Sequence, residues 1–309
     1  MVFHIIPRPK KPPRAEVAHS RPYVPNKYGA IEGEPVVGAL PTDHFLHALK
    51  LRVVKGTLSG GTSPDWVAGA EDLLVKNITL YAEGTKYFKK MSWAEMQQLC
   101  IANLEKQSAG HGKLFFVDPK IEEAQPLPTW RFTSLTLEVE WEALTAATIT
   151  TGDPTGQTGT KLVLTGIESD WDGEKIADWP VLIEVVRTKH DFGANTLYQV
   201  INHERANLVV AYLYAIDDDG TLSDTIMDKL RIIARKAGGT IIPYDEIELA
   251  DVKEENKNAF QGNALATGYF MIEFPGGLNT RDFTSLKSEL NIPTAGTKVG
   301  VRVIERYVL

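Results

Sequence analysis

Cysteine is almost missing: Cys100 stands alone among 309 residues. One sulfur makes no intramolecular disulfide, and it cannot supply the several thiolates of a structural zinc site or an iron–sulfur cluster. The chain is expected to fold in a reducing compartment. Long apolar runs are lacking too. No window approaches the roughly 18–20 apolar residues that cross a bilayer. Val2–Ile6 is too short for a signal peptide and runs into Pro7. A soluble protein that meets a membrane only at its surface is expected. Catalytic signatures are also missing. The Gly-Gly pairs at 60–61, 238–239 and 276–277 lack the lysine and helix of a phosphate loop, and read as turns or caps. There is no Gly-x-Ser-x-Gly elbow and no His-Glu-x-x-His. No enzyme activity and no cofactor are expected.

What is there is an ordinary globular composition, 43% hydrophobic and 24% charged. It excludes whole-chain disorder and a collagen-like chain. The charge is uneven. Residues 1–30 hold Arg8, Lys10, Lys11, Arg14, Arg21 and Lys27 against Glu16, a net +5, which leaves −12 on the remainder of a chain of net charge −7. The same 30 residues hold six prolines and no apolar period, so residues 1–34 read as an extended basic arm.

Beyond the arm the pattern is β. Leu135, Leu137, Val139 and Trp141 alternate with Thr136, Glu138 and Glu140, and Leu49, Leu51 and Val53 and then Val299, Val301 and Val303 keep the same period of two. Further strands are expected at 73–82, 113–117, 161–167, 180–187, 196–201, 207–216, 246–252 and 268–274. Short strands divided by Gly, Asp, Asn or Pro indicate a sandwich or barrel. Two helices interrupt them. The first starts at the capping box Ser92-Trp93-Ala94-Glu95 and carries Met96, Leu99, Cys100, Ile101 and Leu104. The second is expected from Ser223-Asp224 through Ile226, Leu230, Ile233, Ala234 and Ala237, ending at Gly238-Gly239.

The halves repeat. Leu80-Tyr81-Ala82 precedes the first helix as Leu213-Tyr214-Ala215 precedes the second, an offset of 133 residues. Arg131-Phe132-Thr133-Ser134-Leu135 is echoed by Arg281-Asp282-Phe283-Thr284-Ser285-Leu286, with Phe132 and Phe283 offset by 151. The body is therefore expected to be two related units, 35–172 and 173–309.

Ile78-Thr79-Leu80-Tyr81-Ala82-Glu83-Gly84-Thr85, the helix from Ser92, the run Leu127-Pro128-Thr129-Trp130-Arg131-Phe132-Thr133-Ser134-Leu135 and the stretch from Asn279 to Leu309 together carry a resemblance. Over roughly residues 35–309, in pattern more than in identity, the chain resembles the double jelly-roll major capsid proteins of tailless icosahedral phages with an internal membrane, the tectivirus, corticovirus and finnlakevirus-like lineage. The resemblance implies an all-β fold: two tandem eight-stranded jelly-roll sandwiches, each with an inserted helix, behind an extended N-terminal arm. It implies pseudo-hexagonal homotrimers that tile a virion shell around a lipid membrane and assemble in the host cytoplasm. The implied partners are other copies of the chain, minor capsid and vertex proteins and the membrane surface, with no sequence-specific nucleic acid. Arg8, Lys10, Lys11, Arg14, Arg21 and Lys27 would then touch the membrane or neighbouring subunits. The alternative is a carbohydrate- or receptor-binding β-sandwich, a lectin or spike.

Few residues compete for chemistry. Asp217-Asp218-Asp219-Gly220 is a weak calcium candidate, because clustered carboxylates suit that ion, but the run lacks EF-hand spacing and Asp-Gly after a strand is a turn signal. His44 and His47, three apart on an expected strand, point to opposite faces and are poor joint ligands. His190-Asp191 has no assignable nucleophile. Glu246, Glu248, Asp251, Glu254 and Glu255 read as a solvated acidic face or loop. Asn77-Ile78-Thr79 is a formal sequon inside an expected strand. Trp66, Trp93, Trp130, Trp141, Trp171 and Trp179 are dispersed, which favours packing over a sugar-stacking platform.

Overall fold

The computed structural model describes residues 19–23, 26–27, 35–105, 108–117, 125–143, 149–151, 156–170, 180–193, 198–205, 207–293 and 298–308. The principal strands of the first half are β1 (His19–Pro22), β2 (Pro35–Leu40), β3 (Phe45–Val54), β4 (Val75–Ala82), β5 (Lys86–Ser92), β6 (His111–Phe115), β7 (Leu135–Trp141) and β8 (Lys161–Ser169), with α1 (Trp93–Ala102) between β5 and β6. The second half has β9 (Leu182–Gly193), β10 (Gln199–Asn202), β11 (Leu208–Asp218), β12 (Lys229–Lys236), β13 (Gly239–Glu248), β14 (Tyr269–Asn279), β15 (Phe283–Asn291) and β16 (Lys298–Val308), with α2 (Leu249–Ala259) between β13 and β14.

Pairing orders these strands into three large sheets. The first runs β1–β8–β3–β6, antiparallel throughout. The second begins β2–β7–β4–β5. Its strand β5 then pairs in parallel with β9, Lys89 opposite Glu184, and the sheet continues β9–β16–β11–β14. The third is β10–β15–β12–β13. Counted within each half, the strands join as 1-8-3-6 and 2-7-4-5. That is jelly-roll order, two facing sheets around a core, given twice.

Burial follows the sequence period. In β7, Leu135, Leu137, Val139 and Trp141 are buried and the residues between them are half-exposed. In β11 every residue from Val209 to Ile216 is buried, because this strand lies inside the joint sheet and is covered on both faces. One contiguous apolar cluster, from Leu40 through Trp141 to Tyr307, runs through both halves.

Three expectations change. The second helix is not at 223–237. That stretch contains β12, in which Leu230, Ile232 and Ala234 are buried and Arg231 and Ile233 are half-buried. Leu-Arg-Ile-Ile-Ala satisfies helical and alternating periods alike, and the β-branched pair fits the strand better. The helix lies later, at α2, within the run read as an acidic loop, and the strand expected at 246–252 ends at Glu248. The arm is also shorter than 1–34. His19–Pro22 and then Asn26–Lys27 pair with β8, so these residues are the edge of the first sheet. Pro22 is tolerated there because an edge strand spares one row of amide donors. The expected boundary at 172/173 lies outside the described residues. The preceding strand, β8, ends in the first sheet at Ser169, and β9 opens in the joint sheet at Leu182.

The Gly/Thr/Ser-rich loops at 56–70 and 143–160 meet. Thr57–Ser59 pairs with Gly156–Thr158, and Asp65–Trp66 with Ile149–Thr151. Gly56 holds their base: its amide donates to Thr160 Oγ1 at 3.0 Å and its carbonyl accepts from Trp66 Nε1 at 2.9 Å. A Cβ on Gly56 would stand 2.2 Å from the Thr158 carbonyl oxygen and 2.5 Å from the Thr160 amide. Backbone cannot step aside cheaply, so Gly56→Ala lowers stability by about 1–3 kcal/mol in thermal unfolding. Gly238→Ala, with open space around it, is the neutral comparison.

Candidate functional site

The best-built polar features lie where the two halves meet and where the N-terminal segment enters. At the junction the sequence-predicted capping box forms: Ser92 Oγ accepts from the Glu95 amide at 3.2 Å and Glu95 Oε2 accepts from the Ser92 amide at 2.7 Å. The same Glu95 carboxylate accepts from Arg302 Nη2 of β16 at 2.9 Å. One turn on, Gln98 Oε1 accepts from the Ala266 amide at 2.8 Å, and past the helix Asn103 Oδ1 accepts from Arg306 Nη2 at 3.2 Å. α1 thus lies across the outer face of the second half.

Beneath it is a buried charge cluster. Glu184 accepts from Lys89 Nζ and from Arg306 Nε, both at 2.8 Å. Lys89 also donates to the Leu182 carbonyl at 3.2 Å and sits 5.0 Å from the Phe116 ring centre. None of the three residues exceeds 1% exposure. Burial alone would raise the Glu184 pKa, but the Lys89 and Arg306 charges and their hydrogen bonds hold it below the ordinary glutamate value. Three desolvated charges contribute little net stability, yet they are costly to leave unmatched. Lys89 and Glu184 face each other across the parallel β5–β9 pair, so the cluster also fixes the register in which the halves join.

The second feature roots the arm. Tyr23, just past β1, is buried, its hydroxyl donates to Glu168 and it lies 2.9 Å from His44 Nε2. His44 Nδ1 is 2.9 Å from Asp43, which pairs with Arg21 at 3.1 Å. Glu168 is fully buried, with Arg21 3.6 Å away. Burial first, and then the bond to Glu168, push the Tyr23 pKa far above its ordinary value. The His44 bond, opposed by burial and aided by Arg21, holds Asp43 low.

The second half repeats the theme. His203, ahead of β11 as His44 is ahead of β3, has Nδ1 3.3 Å from Glu305 of β16 and Nε2 2.6 Å from Ser288 Oγ. Ser288 in turn lies 2.5 Å from the Tyr214 hydroxyl, and Tyr212 stacks on the His203 ring at 4.1 Å. Ser, His and Glu are the parts of a hydrolase triad. Ser288, however, has no exposed surface. A nucleophile that no substrate can touch is a packing element.

Of the arm residues singled out in the sequence, only Arg21 has a described side chain; it holds Asp43. Lys27 pairs through its backbone with Lys161, and Arg8, Lys10, Lys11 and Arg14 lie outside the described residues. Asp217, Asp218, Asp219 and Gly220 form a two-residue hairpin turn. Asp219 and Gly220 have φ of 49° and 88°, the type I′ geometry that Asp-Gly favours. Asp217 is occupied by the Gly220 amide at 2.8 Å and Lys189 at 3.2 Å. Among the described residues no group of three His, Cys, Asp or Glu is placed to hold a metal ion, and no helix is long and apolar enough to cross a membrane. His44 and His47 turn to neighbouring β8 residues, Glu168 and Ser169. His190 stacks on Phe192 while Asp191 binds Lys298 at 3.0 Å. Trp93 and Trp141 are buried, and Trp130 packs edge-on against Phe45; Trp171 and Trp179 lie outside the described residues. Sequence reasoning missed Lys89, Glu184, Arg306, Tyr23 and Glu168. The available signal was a charge inside an apolar run, as Glu184 is in Val181-Leu182-Ile183-Glu184-Val185-Val186.

No protein-family model matches the chain, and no curated protein matches its sequence. Solved structures do match its shape. The STIV major capsid protein superposes with a TM-score of 0.70 at 13% identity, over 94% of this chain and 96% of that one. The major capsid protein P2 of bacteriophage PM2 gives 0.63 at 13% identity, over 94% and 98%. The chain folds as a double jelly roll. The PBCV-1 virus capsid protein matches likewise, with a TM-score of 0.58 at 11% identity over 94% of each chain. Both rolls of the double jelly roll are thus accounted for, and the joint sheet with its buried Lys89–Glu184–Arg306 cluster is the seam between them.

Proposed function

We propose that this chain is a major capsid protein: a structural subunit that forms pseudo-hexagonal homotrimers tiling an icosahedral virion shell around an internal membrane. The observation that carries the reading is the end-to-end likeness to capsid double jelly rolls, covering 94% of this chain. The sealed Ser288–His203–Glu305 set supports a structural role, because the one triad-like arrangement described has no access. Two rolls locked in one register make a rigid block, which a lattice needs.

The basic arm is the tether in this reading. Arg8, Lys10, Lys11 and Arg14 precede the point where the chain enters the first sheet at His19. Lys and Arg at an anionic surface contribute about 1 kcal/mol each, so four could hold a shell to headgroups. Deleting residues 1–18 is expected to leave soluble trimers and to abolish binding to vesicles of anionic lipid in flotation. Undiminished vesicle binding would remove the tether role.

A further inference from the structure

α1 and α2 occupy the same place in their rolls, yet their surroundings differ. Trp93, Glu95, Met96, Gln98, Leu99, Cys100 and Ala102 of α1 are buried: Trp93, Met96 and Cys100 face the first roll, while Glu95 and Gln98 bind the second. In α2 only Leu249, Val252 and Asn256 are buried. Its third residue, Asp251, corresponds to Glu95, the third of α1, which binds Arg302. Asp251 and Glu255 are exposed and have no ion-pair partner among the described residues, and Glu254 reaches only Lys257 of its own helix, at 3.7 Å.

The face that would receive such a helix is also covered once and bare once. In the second roll the outer face of the 1-8-3-6 sheet carries Arg302 and Arg306 and takes α1. In the first roll the same face carries Lys50 and Arg52 of β3 and Lys161 of β8. The two β3 cations are exposed and Lys161 half-exposed, all without a partner among the described residues. Lys50 and Arg52 line a depression of about 380 Å³ with His111, Lys113 and Glu105, and the one acid there, Glu105, is taken by Lys113. Lys50 stands directly opposite Lys113 across the β3–β6 pair; Glu105 neutralises Lys113, which leaves Lys50 and Arg52 as uncompensated charges of this face.

We infer that these two open halves belong together: α2 of one copy docks, through Asp251 and Glu255, on the Lys50–Arg52–Lys161 face of the next. The occupant is a second copy of this chain, on charge complementarity and on continuity with the α1 contact already made within the chain. The contact is head-to-tail. Repeating the rotation that relates the two rolls closes a ring if that rotation is a sixth of a turn, reached after three chains. The inference rests on the homotrimer reading and names its surface.

Sedimentation of the full chain tests it, comparing wild type with K50E/R52E, D251K/E255K and the combination of all four. Wild type is expected to be trimeric. Each charge reversal is expected to raise the concentration needed for assembly about ten-fold or more, with unchanged thermal melting, and the combined variant to recover trimers. Zero-length carbodiimide coupling of mixed light and heavy wild-type chains is expected to join Lys50 or Lys161 to Asp251 or Glu255 between copies. A trimer indifferent to both reversals, or one that the combination does not restore, places the contact elsewhere and leaves the trimer standing. Absence of the intercopy cross-links overturns the surface in the same way. A K50E/R52E trimer that is intact but loses binding to anionic vesicles assigns the face to phosphate. A monomeric wild type overturns the homotrimer reading and this surface together.

Discussion

Glu184→Gln lowers the unfolding free energy of the chain by about 3–5 kcal/mol, the cost of leaving buried charges unmatched. Lys89 and Arg306 both point at this carboxylate from opposite sides of the seam, at 2.8 Å each. Removing its charge strands two cations where water cannot reach them. Replacing all three by apolar residues of similar volume, Lys89→Met, Glu184→Leu and Arg306→Met, removes the desolvation cost and the attraction together. That triple variant is expected to be as stable as wild type or more so in urea unfolding. The pH dependence has a definite sign. The folded Glu184 pKa lies below the ordinary value of 4.5, so its contribution is present above that pH and is lost as acidification passes the folded value. The gap between wild type and Glu184→Gln should therefore narrow below pH 4.5. A gap constant with pH would show that the carboxylate charge is not what the seam depends on.

Tyr23→Ala is the second large effect. The Tyr23 ring passes over Gly166, where a Cβ would come within 2.4 Å of its hydroxyl, and it caps the buried Glu168–His44 pair. Truncation empties that space and leaves Glu168 short of a donor, for a loss of about 3–5 kcal/mol. The same structure divides the N-terminus sharply. Deleting residues 1–18 leaves β1, which begins at His19, in place and serves as the reference. Deleting 1–23 removes β1 and exposes the β8 edge, lowering the melting temperature and speeding amide exchange along Thr165–Glu168, the β8 residues paired with β1. Equal stability of the two truncations would mean that β1 is not part of the folded sheet.

The fold was legible wherever one period dominated. The alternation of Leu135 to Trp141 is β7, the Ser92–Glu95 box is the start of α1, and both lie where the residues put them. The repeat was legible too, but only one of its two echoes was real. Phe-Thr-Ser-Leu marks the seventh strand of both rolls, entering β7 and opening β15. Leu-Tyr-Ala joins the fourth strand of one roll, β4, to the third of the other, β11, and is chance. Its offset of 133 merely agreed with a second helix at 223–237, whereas the helix caps Ser92 and Glu248 lie 156 apart, close to the offset of 151 that the genuine echo gives. α2 itself was hidden because one face is acidic and only Leu249, Val252 and Phe260 supply apolar burial. The buried charge sites were the least visible. Lys89, Glu184 and Arg306 meet on the neighbouring strands β5, β9 and β16 but lie far apart in the sequence, and nothing local distinguishes a lysine that will be sealed from one that will be solvated. The arm was overextended because six prolines outweighed a short edge strand that tolerates Pro22.

Electron microscopy of the purified full-length chain, with its mass in solution, tests the central reading most directly. Particles of three chains with a six-lobed outline, two lobes per chain, and sheets of such particles at higher concentration are the expected result. A stable single-chain species with two lobes that never associates, above all one whose melting temperature rises with added glycan, would contradict it.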